Sequence, residues 1–476
     1  MPSKKFDTRS KRRQIPTTPS DFFDAAIEYE EAGDRWSTGD GEKALRFWQR
    51  AADAYQTSLN LAEGFDAAYN LARLRFRIAE AAAAEVKAGS GTDWDWEGVL
   101  QAHYRALELV GEGGGREDVL FNTAQVHTAL ADALLEERGA DRERAAVHLL
   151  KAKSIFEECL HRQRKIFESY SNPMLVDGMG KGDEDEDMDM DMDTGGVQLV
   201  EERREEKEEY AVVQEPLTEG VIADTLVELL KTLSTLLPLL ADPREAVVSG
   251  EELLQQLYIL HSSLPDRQTE LCIASAITRT AIAESSHRFS LSASTVSSWE
   301  STITDAFSHT WPWSQSPGAL CAKSDCHISL ASAVPTAAWR HYSFASRALA
   351  AAAALEGGKT ARIHVARGDT ELLRSRTEGC TPEIRAVLRR NAGVFYRGAI
   401  KLAGAKDGAV KREAEVKELA VRIEDGAVGA GEIQDGDTRA REVLEEAAEE
   451  GVFLPGIWEV VTGQQMEAIY TAGGTV

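Results

Sequence analysis

Three groups of residues in this sequence have the types and spacing that could carry chemistry. The first is a glycine-rich run at residues 111–115, which has the composition of a phosphate-binding loop. A dinucleotide-binding loop follows a strand, whereas the residues before this run have a helical pattern. The second group is Cys321, Cys326 and His327. A structural zinc site needs a fourth ligand, and no second cysteine or histidine pair is near, so we expect neither a phosphate site nor a zinc site.

The third group belongs to an acidic run. Asp191, Asp193 and Gly195, with Glu202 further on, overlap part of an EF-hand loop. The fifth ligand position is glycine and no entering helix precedes it, which favours weak, nonspecific cation binding over a true EF-hand. The ten histidines are dispersed, and no His-Glu-x-x-His, Gly-x-Ser-x-Gly or kinase-type series occurs. We therefore expect no catalytic residues, no resident metal and no cofactor.

Net charge restricts the class of partner. The 476 residues include 53 Lys and Arg against 79 Asp and Glu, a formal net charge of −26. Nucleic-acid binding needs clustered Lys and Arg to displace counterions, so nucleic acid is disfavoured and a basic protein is the expected partner. Residues 177–209 alone hold 15 acidic and 4 basic residues. This short stretch carries more than a third of the net charge.

The centre of that stretch has two interpretations. A charge run is usually a solvated linker, and this composition predicts disorder. Alternatively, the run recognises a basic client, whose association it would accelerate by long-range attraction, with Met188, Met190 and Met192 adding adaptable apolar contacts. The candidate client-binding acidic residues are Asp183, Glu184, Asp185, Glu186, Asp187, Asp189, Asp191 and Asp193.

The cysteines and the N-terminal residues allow a prediction of localisation. Five scattered cysteines do not form a disulfide framework, which predicts a reducing compartment. No signal-peptide apolar region and no run of about 18 apolar residues occurs, so we expect a cytoplasmic protein without membrane association. A basic cluster precedes the first helix, and it is either a nuclear import signal or a solvated tail. Its members are Lys4, Lys5, Arg9, Lys11, Arg12 and Arg13.

From Pro19 onward the apolar residues recur every three or four positions, which predicts an all-α fold. A rhythm of the form Ala-x-x-x-bulky-x-x-Ala recurs along the chain, and it places small residues on one helix stripe where a neighbouring helix can approach. The clearest instances are Ala44, Trp48 and Ala51, then Ala145, Leu149 and Ala152, then Ala392, Tyr396 and Ala399.

With Gly39-Asp40 at a turn, these residues resemble the tetratricopeptide repeat family over roughly residues 20–170. The resemblance implies antiparallel helical hairpins stacked in a right-handed superhelix with a concave, protein-binding face. Insertions near residues 88–94 and 111–115 widen the repeat spacing. The repeat-packing positions that it implies are Ala32, Gly39, Ala44, Trp48, Ala51, Ala72, Ala124, Ala145 and Ala152.

Composition divides the chain into five segments. They are a basic disordered tail (1–18), tetratricopeptide-like repeats (19–170), an acidic disordered linker (171–215), a second helical region that either continues the repeats, as we expect, or forms a separate domain (216–405), and charged C-terminal helices with a tail (406–476). In the last segment the pattern predicts helices at residues 411–423 and 438–450. Residues 285–318, rich in Ser and Thr, predict a long connection. Its tryptophans Trp299, Trp311 and Trp313 either pin this connection to the core or form a binding hot spot.

We therefore expect a non-enzymatic helical-repeat protein that escorts a basic client such as a ribosomal protein or a histone. One alternative is a co-chaperone that binds an acidic peptide through a basic clamp, and another is a scaffold subunit of a larger complex. The clamp candidates are Arg73, Arg75, Arg77, Lys151 and Lys153. Oligomeric state and client identity are left open by the sequence.

Overall fold

The computed structural model describes residues 16–37, 39–87, 95–110, 115–136, 141–171, 217–290, 293–308, 316–404, 407–428, 433 and 437–462. These residues form seventeen α-helices and no strand, so the all-α prediction is confirmed. The first six are α1 (Pro19–Trp36), α2 (Gly41–Leu61), α3 (Phe65–Lys87), α4 (Trp96–Leu109), α5 (Arg116–Glu136) and α6 (Arg142–Ser171). The acidic run and the basic N-terminal cluster lie outside the described residues.

The remaining helices follow residue 216. They are α7 (Glu219–Leu236), α8 (Arg244–His261), α9 (Gln268–Ser290), α10 (Ala293–Ala306), α11 (Pro317–Ala333), α12 (Ala338–Ala354), α13 (Ala361–Ser375), α14 (Pro382–Leu402), α15 (Gly408–Glu424), α16 (Thr438–Glu449) and α17 (Ile457–Thr462). Single-turn 3₁₀ helices at Leu237–Leu239, Pro265–Arg267 and Pro335–Ala337 shape three of the connections.

Consecutive helices pack in pairs, α1 with α2, α3 with α4, and so on to α15 with α16. The pairs stack because each even-numbered helix also contacts the odd-numbered helix that follows it. Neighbouring odd-numbered helices also touch, as α3 does with α5 and α7 with α9, whereas no comparable contact joins two even-numbered helices in the described part of the chain. The odd-numbered helices are therefore the crowded, inner side of a helical-repeat superhelix.

Local sequence explains how the first hairpin begins and turns. Thr18 caps α1 through a reciprocal pair of hydrogen bonds with Asp21, and Pro19 occupies the first helical turn. Asp40 caps α2, since its carboxylate accepts a hydrogen bond from the backbone N–H of Lys43 at 2.9 Å. Gly39 is exposed in the turn between them.

A glycine makes the close helix approach in the first hairpin and in the α13–α14 hairpin. Gly33 of α1 faces Trp48, so closely that an added Cβ would lie 2.3 Å from the indole ring. Gly368 of α13 faces Tyr396 in the same way, at 2.4 Å. The sequence predicted that Ala32 would make this close approach. Gly33 makes it instead, because Ala32, one residue earlier on the helix, points in a different direction and is only half-buried.

Each glycine is followed by an aspartate that accepts a hydrogen bond from the same aromatic ring. The Trp48 Nε1–H donates to Asp34 at 3.0 Å, and the Tyr396 hydroxyl donates to Asp369 at 2.7 Å. The Gly-Asp pair at residues 368–369 therefore lies within a helix and not at a turn. Two distant hairpins use the same packing unit of glycine, aspartate and aromatic ring.

Gly368→Ala is expected to lower the free energy of unfolding by about 1–3 kcal/mol, because the methyl group overpacks the Tyr396 ring. The helix-propensity gain of roughly 1 kcal/mol opposes this loss only partly. Gly393→Ala in α14 is the matched control, since its Cβ would meet the flexible end of Arg397 at 3.3 Å and Val421 at an ordinary contact distance of 3.9 Å. Urea unfolding measures both variants, and equal stability of the two would contradict the overpacking argument.

One hydrophobic core joins the helices on the two sides of residues 172–216. Leu226, Leu229, Leu230, Leu233 and Leu236 are fully buried on α7. They belong to the same cluster as residues of α5, α6, α8 and α9. The broad leucine face of α7 is thus buried on several sides.

The predicted long connection at 285–318 is wrong over most of its length. Helix α9 continues to Ser290, and residues 293–306 form α10. Ser and Thr are weak helix formers, but Trp299, Ile303 and Phe307 recur every four positions and are buried against α9 and α11. That apolar stripe outweighs the low intrinsic propensity.

The C-terminal helices match their predictions closely. The expected helices 411–423 and 438–450 correspond to α15 and α16. The core formed by helices α13 to α16 also buries Val452, Phe453, Ile457 and Trp458. The segment after α16 therefore packs back onto these helices as far as Thr462. Residues 463–476 lie outside the described residues.

Candidate functional site

Polar side chains link the odd-numbered helices along the inner face. Arg73 and Arg77 of α3 pair with Glu30 and Asp34 of α1. Four further links are Asn122 to Tyr69 at 3.1 Å, Thr128 to Thr232 at 3.4 Å, Ser234 to Thr278 at 3.1 Å, and Ser329 to Glu284 at 2.7 Å. These bonds hold neighbouring inner helices in register.

Three carboxylates project from this inner face, each about one helical turn from a linking residue. Glu80 of α3 follows Arg77, Asp118 of α5 precedes Asn122, and Asp325 of α11 precedes Ser329. All three are exposed. None makes an ion pair or a hydrogen bond within the described residues.

The pKa of each of these three carboxyl groups is raised. Desolvation alone raises the pKa of Glu80, and desolvation followed by repulsion from Glu117 raises that of Asp118. Desolvation raises the pKa of Asp325 to about 6. Nearby protein atoms thus desolvate these exposed carboxyl groups without covering them. We call Glu80, Asp118 and Asp325 the groove carboxylates.

The groove carboxylates lie on three separate helices, and none of them has an ion-pair partner within the described residues. At neutral pH each bears a negative charge that the fold leaves uncompensated. An ammonium or guanidinium group from a partner would relieve this penalty and gain from the reduced local dielectric. The chemistry available here is binding of basic side chains. The spacing of these residues in sequence gave no sign of it, because they are 38 and 207 positions apart.

The basic residues proposed for a carboxylate clamp are engaged elsewhere or point apart. Arg77 pairs with Asp34 and its guanidinium stacks 4.1 Å from the Trp48 ring. Arg75 donates to Gln56 of α2 at 3.1 Å, and Lys153 pairs with Glu157 at 2.7 Å. Lys151 is exposed on α6, an outer helix. The structure does not bring these cations together.

The other sequence candidates have separate positions. Trp299 is fully buried in the core between α9, α10 and α11, which makes it unavailable as a surface contact. Trp311 and Trp313 lie outside the described residues, as do the acidic residues 183–193. Cys326 bonds to Thr280 and His327 to His341, so they do not converge with Cys321. The part of the chain that the structure describes holds no group of three metal-ligating side chains.

The repeat-packing alanines lie between helices. Six of them are fully or almost fully buried: Ala44, Ala51, Ala72, Ala124, Ala145 and Ala152. Trp48 is 6% exposed and fills the space against Gly33. These residues set the distance between helices and do not face the groove.

Two histidine pairs, which the sequence analysis missed, hold hairpins together. His127 of α5 and His148 of α6 meet at 2.9 Å between their Nδ1 atoms, and the Tyr104 hydroxyl lies 2.8 Å from His127 Nε2. His327 of α11 and His341 of α12 meet at 3.1 Å in the same way. Within each pair one Nδ1 must donate and the other accept, so the accepting ring is held neutral.

Acid is expected to weaken the fold through these pairs. Burial, with repulsion from the facing histidine, lowers the pKa of His127 to about 4 and that of His327 to about 3. An unfolded histidine takes up a proton below about pH 6.5. Stability is therefore complete above that pH and falls as pH decreases from 6.5 to 4, by about 2–4 kcal/mol for each buried ring.

The measurement is the free energy of urea unfolding between pH 4 and 7.5. His327→Gln should lose some stability at pH 7.5 but show a shallower decline toward acid than the wild type. His161→Gln, on the exposed surface of α6, is the matched control and should leave the slope unchanged. An unaltered slope in His327→Gln would show that the pair does not carry the effect.

Among the described residues, no helix is both long enough and apolar enough to cross a membrane. No protein-family model matches the sequence. The chain is similar to the UPF0656 protein C926.02 of Schizosaccharomyces pombe, with 32% identity over 136 residues. That match covers 28% of this chain and 28% of the relative, and the relative's name states no activity or partner.

Proposed function

We propose that this chain is a non-enzymatic, tetratricopeptide-like repeat protein that escorts a basic client in its inner groove, such as a ribosomal protein or a histone. The observation that carries the proposal is the set of groove carboxylates, which are exposed, desolvated and without a counter-charge. A client rich in Lys and Arg supplies that counter-charge.

Overall charge supports the same class of client. The net charge of −26 creates a long-range attraction for basic proteins, and residues 177–209 concentrate a large part of it. In the proposed mechanism the acidic run raises the rate of encounter and the groove carboxylates hold the docked segment. The basic N-terminal cluster would then direct carrier and client to the nucleus together.

Packing within the hairpins supports the tetratricopeptide-like assignment. The buried sets at residues 44, 48 and 51 and at residues 392, 396 and 399 follow one rhythm of small, bulky and small. Helical repeats of this kind use their inner helices for protein binding. A clamp for acidic peptides is the less favoured mode, since Arg73, Arg75 and Arg77 are already occupied.

Tagged purification from the native cell at low salt, followed by mass spectrometry, tests the proposal. A dominant basic partner that is lost when residues 182–209 are removed would support a charge-assisted escort. Recovery of only neutral or acidic partners, unaffected by the deletion, would instead indicate a scaffold subunit. A basic partner that stays bound after both the deletion and a rise in salt would contradict the charge-based mechanism.

A further inference from the structure

The five cysteines differ in their access to reagents. Cys159, Cys326 and Cys380 are buried, and burial raises the pKa of Cys159 and of Cys326 to about 12. Such thiols stay protonated and react slowly. Cys272 and Cys321 are half-buried and remain accessible.

Only Cys272 of these two lies beside an imidazole. Its Sγ is 3.3 Å from Nε2 of His261, and the contact joins the end of α8 to the beginning of α9. Cys321 instead has Asp325 one turn away, and both burial and this carboxylate raise its pKa. The two thiols are thus a natural pair for comparison, since they are equally accessible and differ in their neighbours.

Cys272 needs a base in order to react, because the pKa of its thiol is raised overall. Burial raises the pKa of Cys272, and the Arg279 guanidinium two turns along α9 opposes this. His261 occupies the last turn of α8, and its Nε2 lies within reach of the thiol proton. A thiolate–imidazolium pair is the arrangement that activates cysteine as a nucleophile.

A cavity gives a reagent access to this pair. It lies between α8, α9 and α10 and is open to solvent. Leu254, Tyr258 and Ala306 form apolar walls, and Arg279 and Asp305 lie at its polar side. Arg279 is exposed and has no ion pair within the described residues, so it remains available to an anionic ligand.

We propose that Cys272 is a site of reversible thiol–disulfide exchange with a small anionic disulfide of the type of oxidised glutathione. His261 takes the thiol proton, and the thiolate attacks one sulfur of the disulfide. The new bond joins Cys272 to that sulfur, the original S–S bond breaks, and the departing thiolate takes the proton from His261. Arg279 binds a carboxylate of the reagent.

Incubation of the full chain with oxidised glutathione, followed by peptide mass mapping over time, tests this proposal without any substitution. Modification of Cys272 is expected to be about tenfold faster than that of Cys321, because only Cys272 has a base. Equal rates at the two thiols, or faster reaction at Cys321, would overturn the proposal. So would the absence of the mixed disulfide at Cys272.

Two variants separate the roles of the neighbouring residues. His261→Gln keeps a polar side chain but removes the base, and it should bring the rate at Cys272 down to that at Cys321. Arg279→Gln should slow oxidised glutathione more than the neutral reagent iodoacetamide, because the substitution removes the anion-binding group in addition to a charge that lowers the pKa of Cys272. Circular dichroism and thermal unfolding show whether each variant is folded. An unchanged rate in folded His261→Gln would exclude base assistance.

Discussion

Replacing Lys417 by methionine is expected to lower the free energy of unfolding by about 3–5 kcal/mol at neutral pH. Lys417 is 4% exposed on α15. Its Nζ lies 3.1 Å from Asp369 of α13 and 2.8 Å from Glu413 of its own helix. Methionine fills a similar volume but leaves these carboxylates in a buried site without their counter-charge.

The network around Lys417 explains the size of this effect. Burial alone lowers the pKa of the ammonium group, but attraction from Asp369 and Glu413 outweighs burial and the net pKa is raised. Asp369 also accepts the hydrogen bond from Tyr396. One buried cation therefore holds together α13, α14 and α15, and its loss affects all three contacts.

The loss in free energy of unfolding caused by Lys417→Met should become smaller as pH falls from 7 toward 5. Burial raises the pKa of Asp369 and of Glu450, which also faces Lys417. Lys417 lowers the pKa of both groups, so its loss raises their folded pKa values further above those of the unfolded chain. Protonation at lower pH therefore stabilises the variant more than the wild type. Urea unfolding at pH 7 and pH 5 measures the difference between the two conditions.

Lys411→Met is the matched control for this substitution. Lys411 lies on the same helix, is half exposed and pairs with Glu415 only at 4.0 Å, so its loss should change stability by less than about 1 kcal/mol. In the double variant Lys417→Met/Asp369→Asn, part of the lost stability should return, because the stranded charge is also removed. A Lys417→Met variant as stable as the control would contradict a structural role for the network.

The all-α fold class and many helix positions could be predicted from the sequence, because apolar residues at three- and four-residue spacing are a local signal. Helices α15 and α16 were placed within a few residues in this way. Helix α10 was missed because Ser and Thr dominate its composition. Its three buried apolar residues are decisive only when α9 and α11 are present to cover them.

The proposed binding site could not be predicted from the sequence for a different reason. Local spacing indicated the acidic run as the candidate client-binding segment, because many charges are adjacent there. The groove carboxylates come from three separate hairpins. In the sequence each resembles any other surface residue, and only the stacking of the hairpins places it on the inner face. The histidine pairs are likewise formed between helices, so no spacing within one helix indicates them.

Neutralising the groove carboxylates is expected to weaken binding of a basic client about 10- to 100-fold at low salt, without loss of stability. The variant is Glu80→Gln/Asp118→Asn/Asp325→Asn. Because desolvation raises the pKa of all three groups, their ionised forms cost folding free energy at neutral pH. Their removal should leave stability unchanged or higher.

This opposite response of stability and affinity separates a binding role from a structural one. Replacing a group that stabilises the fold lowers the free energy of unfolding, as expected for the network around Lys417. A carboxylate that serves a partner is retained despite its cost to the free protein. Thermal unfolding of the free variant and titration with the client identified by purification give the two quantities.

The matched control changes net charge by the same amount on the outer side. Asp53 of α2, Glu158 of α6 and Glu252 of α8 are exposed and make no ion pair within the described residues. Their triple neutralisation should reduce the on-rate slightly through long-range attraction, and that reduction should disappear at high salt because exposed charges are screened. Equal loss of affinity in both triple variants would show that net charge, and not the groove, holds the client.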